Sequence, residues 1–518
     1  MFRRSDESIR RLVARAISEA WAWKSELAGA SASLIRVTPA IRECLARAER
    51  AWPRLLPSAE LFGPTGLAAM ASDPVLRAAL ETFPVCDVGL ERCLTMVRRA
   101  MLESALEPNS GEGTANAVLT FYCSVARQCF INEYVFFETR EEAASAALLR
   151  QRAIASLESG RAIPLSWIPA LGAYFPLQSI AGMSALPRDS FPESIAALLT
   201  QQIDEPLQEA QLRTSIEQLT SIGVGVSSSV RRQYEENPYP RWMKLPPAGT
   251  ARSFDDYLRR LFPSVPIRPL AKAEPLQMLI AGCGTGAEAI EAAQDLPHSQ
   301  ILAIDLSLSS LAYAVRKSRE SGVENIKYLQ ADILEVRKID RTFDVISSSG
   351  VLHHLADPLA GLRELLSLLR PGGFMRLGLY SEAARRVVVE TRQFIAERGY
   401  ASTPEDIRRC RQDLIAIGAR FAPLKKFGDF YATSECRDLL FHVQEHRFTV
   451  PGIKAALQQA GLQFIGFVLD SNVNKDYAER YPDDLTRTNL DNWHLYETGF
   501  PDTFAGMYKF WVQKPGAH

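Results

Sequence analysis

Leu276-Gln-Met-Leu-Ile-Ala-Gly-Cys-Gly-Thr-Gly286 is the stretch on which the fold turns. An apolar run breaks into Gly282, Gly284 and Gly286, and a helical pattern begins at Ala287. This predicts a buried strand, a glycine turn, and a helix whose N-terminus aims at whatever lies on the turn. A backbone without a Cβ at Gly284 can approach a ligand closely, and the helix start offers N–H groups with no intrahelical acceptor. Nineteen residues past Gly286, after a second apolar run over 300–304, stands Asp305. A carboxylate at that strand end can accept both hydroxyls of a ribose. The ligand class is therefore a cofactor carrying a nucleoside.

The glycine spacing alone leaves the cofactor open, because Gly282, Gly284 and Ala287 also satisfy the loose dinucleotide fingerprint of an NAD enzyme. Working outward, Tyr328-Leu-Gln-Ala-Asp332-Ile333 ends a third strand with an acid-apolar pair, suited to bond an adenine amino group and cover its ring. Residues 343–354 give a fourth strand opening into a polar loop with His353 and His354, and residues 369–379 give a fifth. With AGCGTG, AIDLS, LQADI, FDVISSSGVLHHLADP and LLRPGGFMRL in this order, the chain resembles the class I S-adenosylmethionine-dependent methyltransferases. The resemblance implies an α/β fold with a seven-stranded Rossmann-like sheet and S-adenosylmethionine as cofactor. It implies cofactor contacts from Ala281, Gly282, Cys283, Gly284, Thr285 and Gly286 on the turn, and from Asp305, Leu306, Asp332, Ile333, Ser348 and Ser349 beyond it. His353 and His354 lie on the loop where a base for the methyl acceptor would stand. One position departs from the family. Its usual acid two residues before the first glycine is Ile280 here, so another group must meet the cofactor's ammonium.

The 518 residues exceed one ordinary domain. Residues 1–228 read as helical throughout, with apolar positions three and four apart in ECLARAERAW, GLERCLTMVRRAMLESAL and ANAVLTFYCSVARQCFINEYVF. Loops are expected at Asn109-Ser-Gly-Glu-Gly-Thr114 and 184–192, and no fixed repeat period marks a solenoid. This helical domain is read as a structural or partner-binding unit, including a homodimer contact. Residues 229–249 follow as an extended strap, since Pro238 and Pro240 forbid helix. Its ENPYPRW string resembles a segment that precedes the catalytic core in large bacterial methyltransferases with helical N-terminal regions. The strap is read as a linker or as a lid placing Tyr234, Asn237 and Tyr239 on the cofactor. Residues 250–381 then form the cofactor-binding core, 382–448 a helical insertion roofing the acceptor site, and 449–518 a helix and strands completing the sheet, the last strand antiparallel.

Within that roof His442-Val-Gln-Glu445-His446 matches the inverted zinc-protease motif, which needs both histidines one helical turn apart. No clear third ligand accompanies it, and no metal is expected. His442, Glu445 and His446 are instead assigned to orienting or deprotonating the methyl acceptor, against the alternative of polar residues on a surface helix. The acceptor, whether a protein side chain or a small molecule, is not specified by the residues; the large helical domain leans toward a macromolecule.

Lys plus Arg number 59 against Asp plus Glu 60, a net charge of −1, so no basic face points to nucleic acid. The eight cysteines show no paired metal spacing and suit a reducing cytoplasm. The N-terminal stretch mixes both charge signs and lacks the apolar core of an export signal. The longest uncharged run, 162–187, is interrupted by Pro169 and Pro176 and is read as a broken buried helix rather than a membrane span. Two other functions stay open beside methyl transfer: a cofactor-binding regulatory or scaffold protein without turnover, and an NAD-dependent oxidoreductase.

Overall fold

Side chains alternate between the faces of a strand, and both faces of Leu276–Ala281 are apolar, so this strand can only be stable with a layer on each side. The structure, a computed structural model, has that arrangement. It describes residues 2–107, 115–223, 225–247, 249–250, 252–270 and 275–516. The expected loop from Asn109 to Thr114 lies outside the described residues.

Seven strands form one sheet: β1 Leu276–Ala281, β2 Ser299–Asp305, β3 Ile326–Gln330, β4 Phe343–Ser349, β5 Leu369–Leu379, β6 Gln463–Phe467 and β7 Tyr508–Gln513. Their order is β3-β2-β1-β4-β5-β7-β6. The first five run parallel, and β7 is antiparallel to both β5 and β6. Leu279, Leu302, Ile346 and Met375 pack into one apolar layer with Leu362 and Leu365 of helix Pro358–Leu368 and Ile453 of helix Val450–Ala460. Met278, Ile280, Ile301, Val345 and Phe374 pack on the other face with Ala289 of helix Ala287–Asp295, Leu311 of helix Leu308–Glu320 and Leu258 of helix Phe254–Leu261. The order reverses between β1 and β4, which leaves a crevice at their carboxyl ends where open α/β sheets bind ligands.

Several helix ends follow from single residues. Asp357 accepts the N–H groups of Leu359 and Ala360, and Thr449 accepts that of Gly452. Gly461 ends its helix in the left-handed conformation, at φ 63°. An addition with no sequence signal covers the outer edge of β3. Gln330 donates its N–H to Glu217 O at 2.9 Å and accepts from Leu219 N–H at 2.8 Å, so a short segment pairs with an edge that would otherwise be open.

The division of the chain differs from the expected linear one. Residues 209–240, 248–393 and 442–518 form the sheet-bearing unit, and residues 1–208, 241–247 and 394–441 form a helical one. The expected boundary at 228 therefore moves to 208, and only the ends of the expected 382–448 insertion belong with the sheet. The reason is burial. Arg411, fully buried, donates to Glu91 at 2.8 and 3.1 Å and to the carbonyls of Val135 and Phe430. A buried guanidinium needs such partners, and they lie on the helical unit's own segments. A second buried pair, Arg98 with Glu142 at 2.7 Å, is joined by the Tyr174 hydroxyl. The strap also departs from a wholly extended form: helix Val226–Glu236 continues to the residue before Asn237. No helix among the described residues is long and apolar enough to cross a membrane, and residues 162–187 are a short helix and 3₁₀ turns.

Candidate functional site

A cavity of about 280 Å³ opens at the carboxyl ends of β1 to β5, entirely within the sheet-bearing unit. Gly282, Cys283 and Gly284 line it from the turn after β1, Asp305 and Leu306 from the end of β2, and Asp332 and Ile333 from beyond β3. Ser349, Gly350, Val351, His354 and Leu355 follow from β4 and its loop, then Tyr380 from the end of β5. Val226, just before the strap, and Val230, Tyr234, Tyr239 and Pro240 of the strap line it as well, with Met507 before β7.

Asp305 braces the turn. Its Oδ2 accepts Gly284 N–H at 2.8 Å and its Oδ1 accepts Ser307 N–H at 2.9 Å. Burial pushes this carboxyl above its ordinary value, against the pull of backbone N–H groups from Ser307, Gly284 and Leu306. Asp332 accepts from Leu334 N–H at 3.0 Å and from Gly223 N–H at 3.3 Å, while its own N–H donates to Thr220 Oγ1. The Ser310 hydroxyl, buried at the cavity wall, has no hydrogen-bond partner among the described residues. Two carboxylates at adjacent strand ends, an unsatisfied hydroxyl on the same cavity wall and apolar Leu306 and Ile333 in the lining fit a nucleoside. The Cys283 thiol is pushed well up by burial and the nearby Asp305, so it stays protonated.

The strap is pinned over the turn. Thr285 Oγ1 donates to Pro240 O, and Ser307 Oγ donates to Tyr234 O at 3.0 Å. Glu235 accepts Leu308 N–H and Ser309 Oγ, both at 2.7 Å, which places an anion at the N-terminus of helix Leu308–Glu320. Glycine at 284, which lines the cavity, is also required by the strap. A Cβ at Gly284 would lie 2.6 Å from the Tyr239 carbonyl oxygen, so the strap claims that space.

Of the residues expected on the cofactor, Gly282, Cys283, Gly284, Asp305, Leu306, Asp332, Ile333, Ser349, Tyr234 and Tyr239 line the cavity, whereas Ala281, Thr285, Gly286, Ser348 and Asn237 do not. Ala281 is buried within β1, and Ser348 points into the sheet's packing with its hydroxyl unpartnered among the described residues. Asn237 closes the strap helix, donating its N–H to Gln233 O.

The expected catalytic histidines separate in the same way. His354 lines the cavity, with Nδ1 2.8 Å from Gln444 O. A carbonyl only accepts, so Nδ1 carries a proton. His353 is fully buried outside the lining, stacked on Tyr380 with centroids 3.8 Å apart, and both its ring nitrogens lack partners among the described residues. His442 stacks on His354 at 3.7 Å. Its Nδ1 accepts Gln444 N–H at 3.0 Å, so Nε2 is protonated and donates to the Tyr234 hydroxyl at 3.3 Å. Helix Thr433–Phe441 stops before His442, so the H-x-x-E-H stretch is not helical and does not present its histidines one turn apart. Glu445 is not a cavity residue either. Its side chain is 1 % exposed and is gripped by Arg385 at 2.7 and 3.1 Å and by Arg392 at 3.4 Å. His446 bonds Gln444 through its ring and His353 O through its N–H.

Burial holds both inner imidazoles neutral: His353 lies well below its ordinary value, and His442 is lowered to about 2. Below the free value of about 6.5 the unfolded chain takes up a proton that folded His442 refuses. His442 therefore contributes no acid sensitivity above that pH. As pH falls from about 6.5 toward 2 it removes roughly 1.4 kcal/mol of stability per pH unit. His442→Asn should flatten the loss of urea-unfolding free energy between pH 7 and 5. Parallel pH profiles for the two proteins would mean that His442 is charged in the folded state.

Residues 278–373 match the family model described as a methyltransferase domain. An uncharacterised protein of Synechococcus sp. is 33% identical over 205 residues, 37% of this chain and 48% of that protein. The trans-aconitate 2-methyltransferase of Deinococcus radiodurans is 31% identical over 139 residues, 26% of this chain and 49% of that enzyme. The chain thus spans about half the length of these curated relatives. Among solved structures, PKMT2 from Rickettsia typhi in complex with AdoHcy aligns over 51% of this chain and 53% of that one, at 17% identity and a TM-score of 0.38.

Proposed function

We propose, from the match of residues 278–373 to a methyltransferase domain, that the chain is a class I S-adenosylmethionine-dependent methyltransferase, which transfers the cofactor's methyl group to a nucleophile that enters beside Tyr234, Tyr239, His354 and Tyr380. The observation that carries this reading is the continuity of one cavity from Asp332 at β3 to Tyr380 at β5. It joins an end with two carboxylates, suited to a nucleoside, to an aromatic end that holds His354. Asp332 and Ile333 would hold the adenine, and Asp305 the ribose hydroxyls. S-adenosylmethionine, when bound, supplies an electrophilic methyl group whose leaving group departs as a neutral thioether.

The chain's own task is then alignment, exclusion of water and removal of one proton. His354 Nε2 takes the acceptor's proton, because Gln444 O holds the other ring nitrogen as a donor. His442 keeps the Tyr234 ring in place through its Nε2–H. Arg385, over the Tyr380 ring at 3.6 Å and locked by Glu445, fixes the far wall. Glu445 and His446 serve as positioning residues in this reading, and His353 as packing behind Tyr380.

The test incubates the full chain with methyl-labelled S-adenosylmethionine and fractionated cell extract. Formation of S-adenosylhomocysteine together with label in one fraction supports the reading, and the nature of that fraction identifies the acceptor as protein, small metabolite or lipid. Tight binding of S-adenosylmethionine with no turnover over any fraction would favour a regulatory role, and thermal protection by NADH alone would favour an oxidoreductase.

A further inference from the structure

The sheet's strand order lays the cavity out as a line, from β3 through β2 and β1 to β4. Among the described lining residues three carry carboxylates: Asp332 beyond β3, Asp305 at the end of β2, and Glu288 in the first turn of helix Ala287–Asp295. The first two serve the nucleoside in the reading above. Glu288 stands apart from them, on the β4 side of the turn.

Its placement is set by the sheet. Ile280 of β1 is in register with Ser347 of β4, and Ser347 with Arg376 of β5, so the three form a row on the face covered by helix Ala287–Asp295. Ser347 Oγ and Arg376 Nη1 both donate to Glu288 Oε1, the latter at 3.1 Å. The other oxygen, Oε2, takes no protein donor among the described residues. The carboxylate is thus held by one oxygen against the neighbours of Ile280 and borders the cavity. That is the region in which an acid at position 280 would have acted.

We propose that Glu288 is the anionic anchor for the ammonium group of the cofactor's amino-acid arm, moved from the strand to the helix after the glycine turn. This rests on the S-adenosylmethionine reading. Cys283, Ser349, Gly350 and Met507 line the same end and bring no negative charge, so Glu288 is the one lining side chain there able to form a charge-assisted bond to a cation. Ser347 and Arg376 act as positioning residues, since they orient the carboxylate without facing the ligand through it. Glu291, one turn along the helix and raised to about 7 by burial, shares the field of Arg376 but does not line the cavity.

The test compares two ligands by calorimetry on the full chain. S-adenosylhomocysteine carries the amino-acid arm; methylthioadenosine shares the nucleoside and thioether but lacks that arm. Glu288→Gln should lower affinity for S-adenosylhomocysteine at least tenfold and leave methylthioadenosine within twofold, which also reports that the site is folded. Ser347→Ala should give a smaller loss with the same ligand selectivity. Equal losses for both ligands would make Glu288 a brace for the turn, and unchanged S-adenosylhomocysteine binding would remove it from the site; either overturns the proposal. If the unmodified chain binds neither ligand, the cofactor reading itself fails, a result distinct from both.

Discussion

Asp305→Asn should abolish cofactor binding nearly as completely as Asp305→Ala, although it keeps the shape of the side chain. Each carboxylate oxygen already accepts a backbone N–H, Oδ2 from Gly284 and Oδ1 from Ser307. An amide must turn its NH₂ toward one of those donors, so one side of the glycine turn loses its acceptor and meets a repelling dipole. Charge-assisted bonds to the ribose hydroxyls contribute about 1.5–3 kcal/mol each, and losing two corresponds to at least a hundredfold in affinity. Calorimetry with S-adenosylhomocysteine on both variants checks this. Retention of affinity within threefold in the alanine variant would place the ribose elsewhere and break the nucleoside assignment.

The second large effect is expected at Gly284. Its φ of +51° lies in the left-handed region, where a side chain costs about 1–2 kcal/mol before any contact is considered. The added Cβ would sit 2.6 Å from the Tyr239 carbonyl oxygen and 3.5 Å from Pro240 Cδ. Because the nearer atom is backbone, no rotamer change relieves the clash. Gly284→Ala should therefore displace the strap, break the Thr285 to Pro240 bond, withdraw Tyr239 from the cavity and reduce cofactor affinity by more than tenfold. Limited proteolysis should show new cleavage between 234 and 242, with the sheet-bearing unit still folded. Tyr239→Ala in the same chain should not rescue binding, since it leaves the obstructing carbonyl in place. Normal affinity and an unchanged cleavage pattern in Gly284→Ala would show that the strap yields freely and is not a wall of the site.

The two expectations differ in how they could be reached. The place of Asp305 at the end of β2, beside the glycine turn, was legible because its spacing from the glycines is set by one strand–helix–strand unit. The strap's part in Gly284 was not legible, because Tyr239 and Gly284 are joined only by packing. The same limit explains Glu288: acids are common in a helix's first turn, and only the register of Ile280, Ser347 and Arg376 distinguishes this one. His442, Glu445 and His446 show the opposite error. Their spacing suggested a helical face, but the helix ends at Phe441, and Arg385 and Arg392, more than fifty residues earlier in the chain, grip the glutamate. Of that motif only His442 approaches the cavity, through Tyr234 and His354.

The features read from sequence alone are local: strands from runs apolar on both faces, the turn from its glycines, helix ends from Asp357, Thr449 and Gly461, and acids at the ends of consecutive strands. These depend on periods of two and 3.6 residues and on backbone preferences that neighbouring residues carry with them. Tertiary structure decided the rest. It assigned 394–441 to the helical unit, brought Tyr234, Tyr380 and Met507 to one cavity, left the ring nitrogens of His353 without hydrogen-bond partners among the described residues and lowered the pKa of His442 to about 2. Each of those outcomes is set by which distant groups share a buried, water-poor space, where an arginine, an imidazole or a carboxylate is stable only with the partners that the packing supplies.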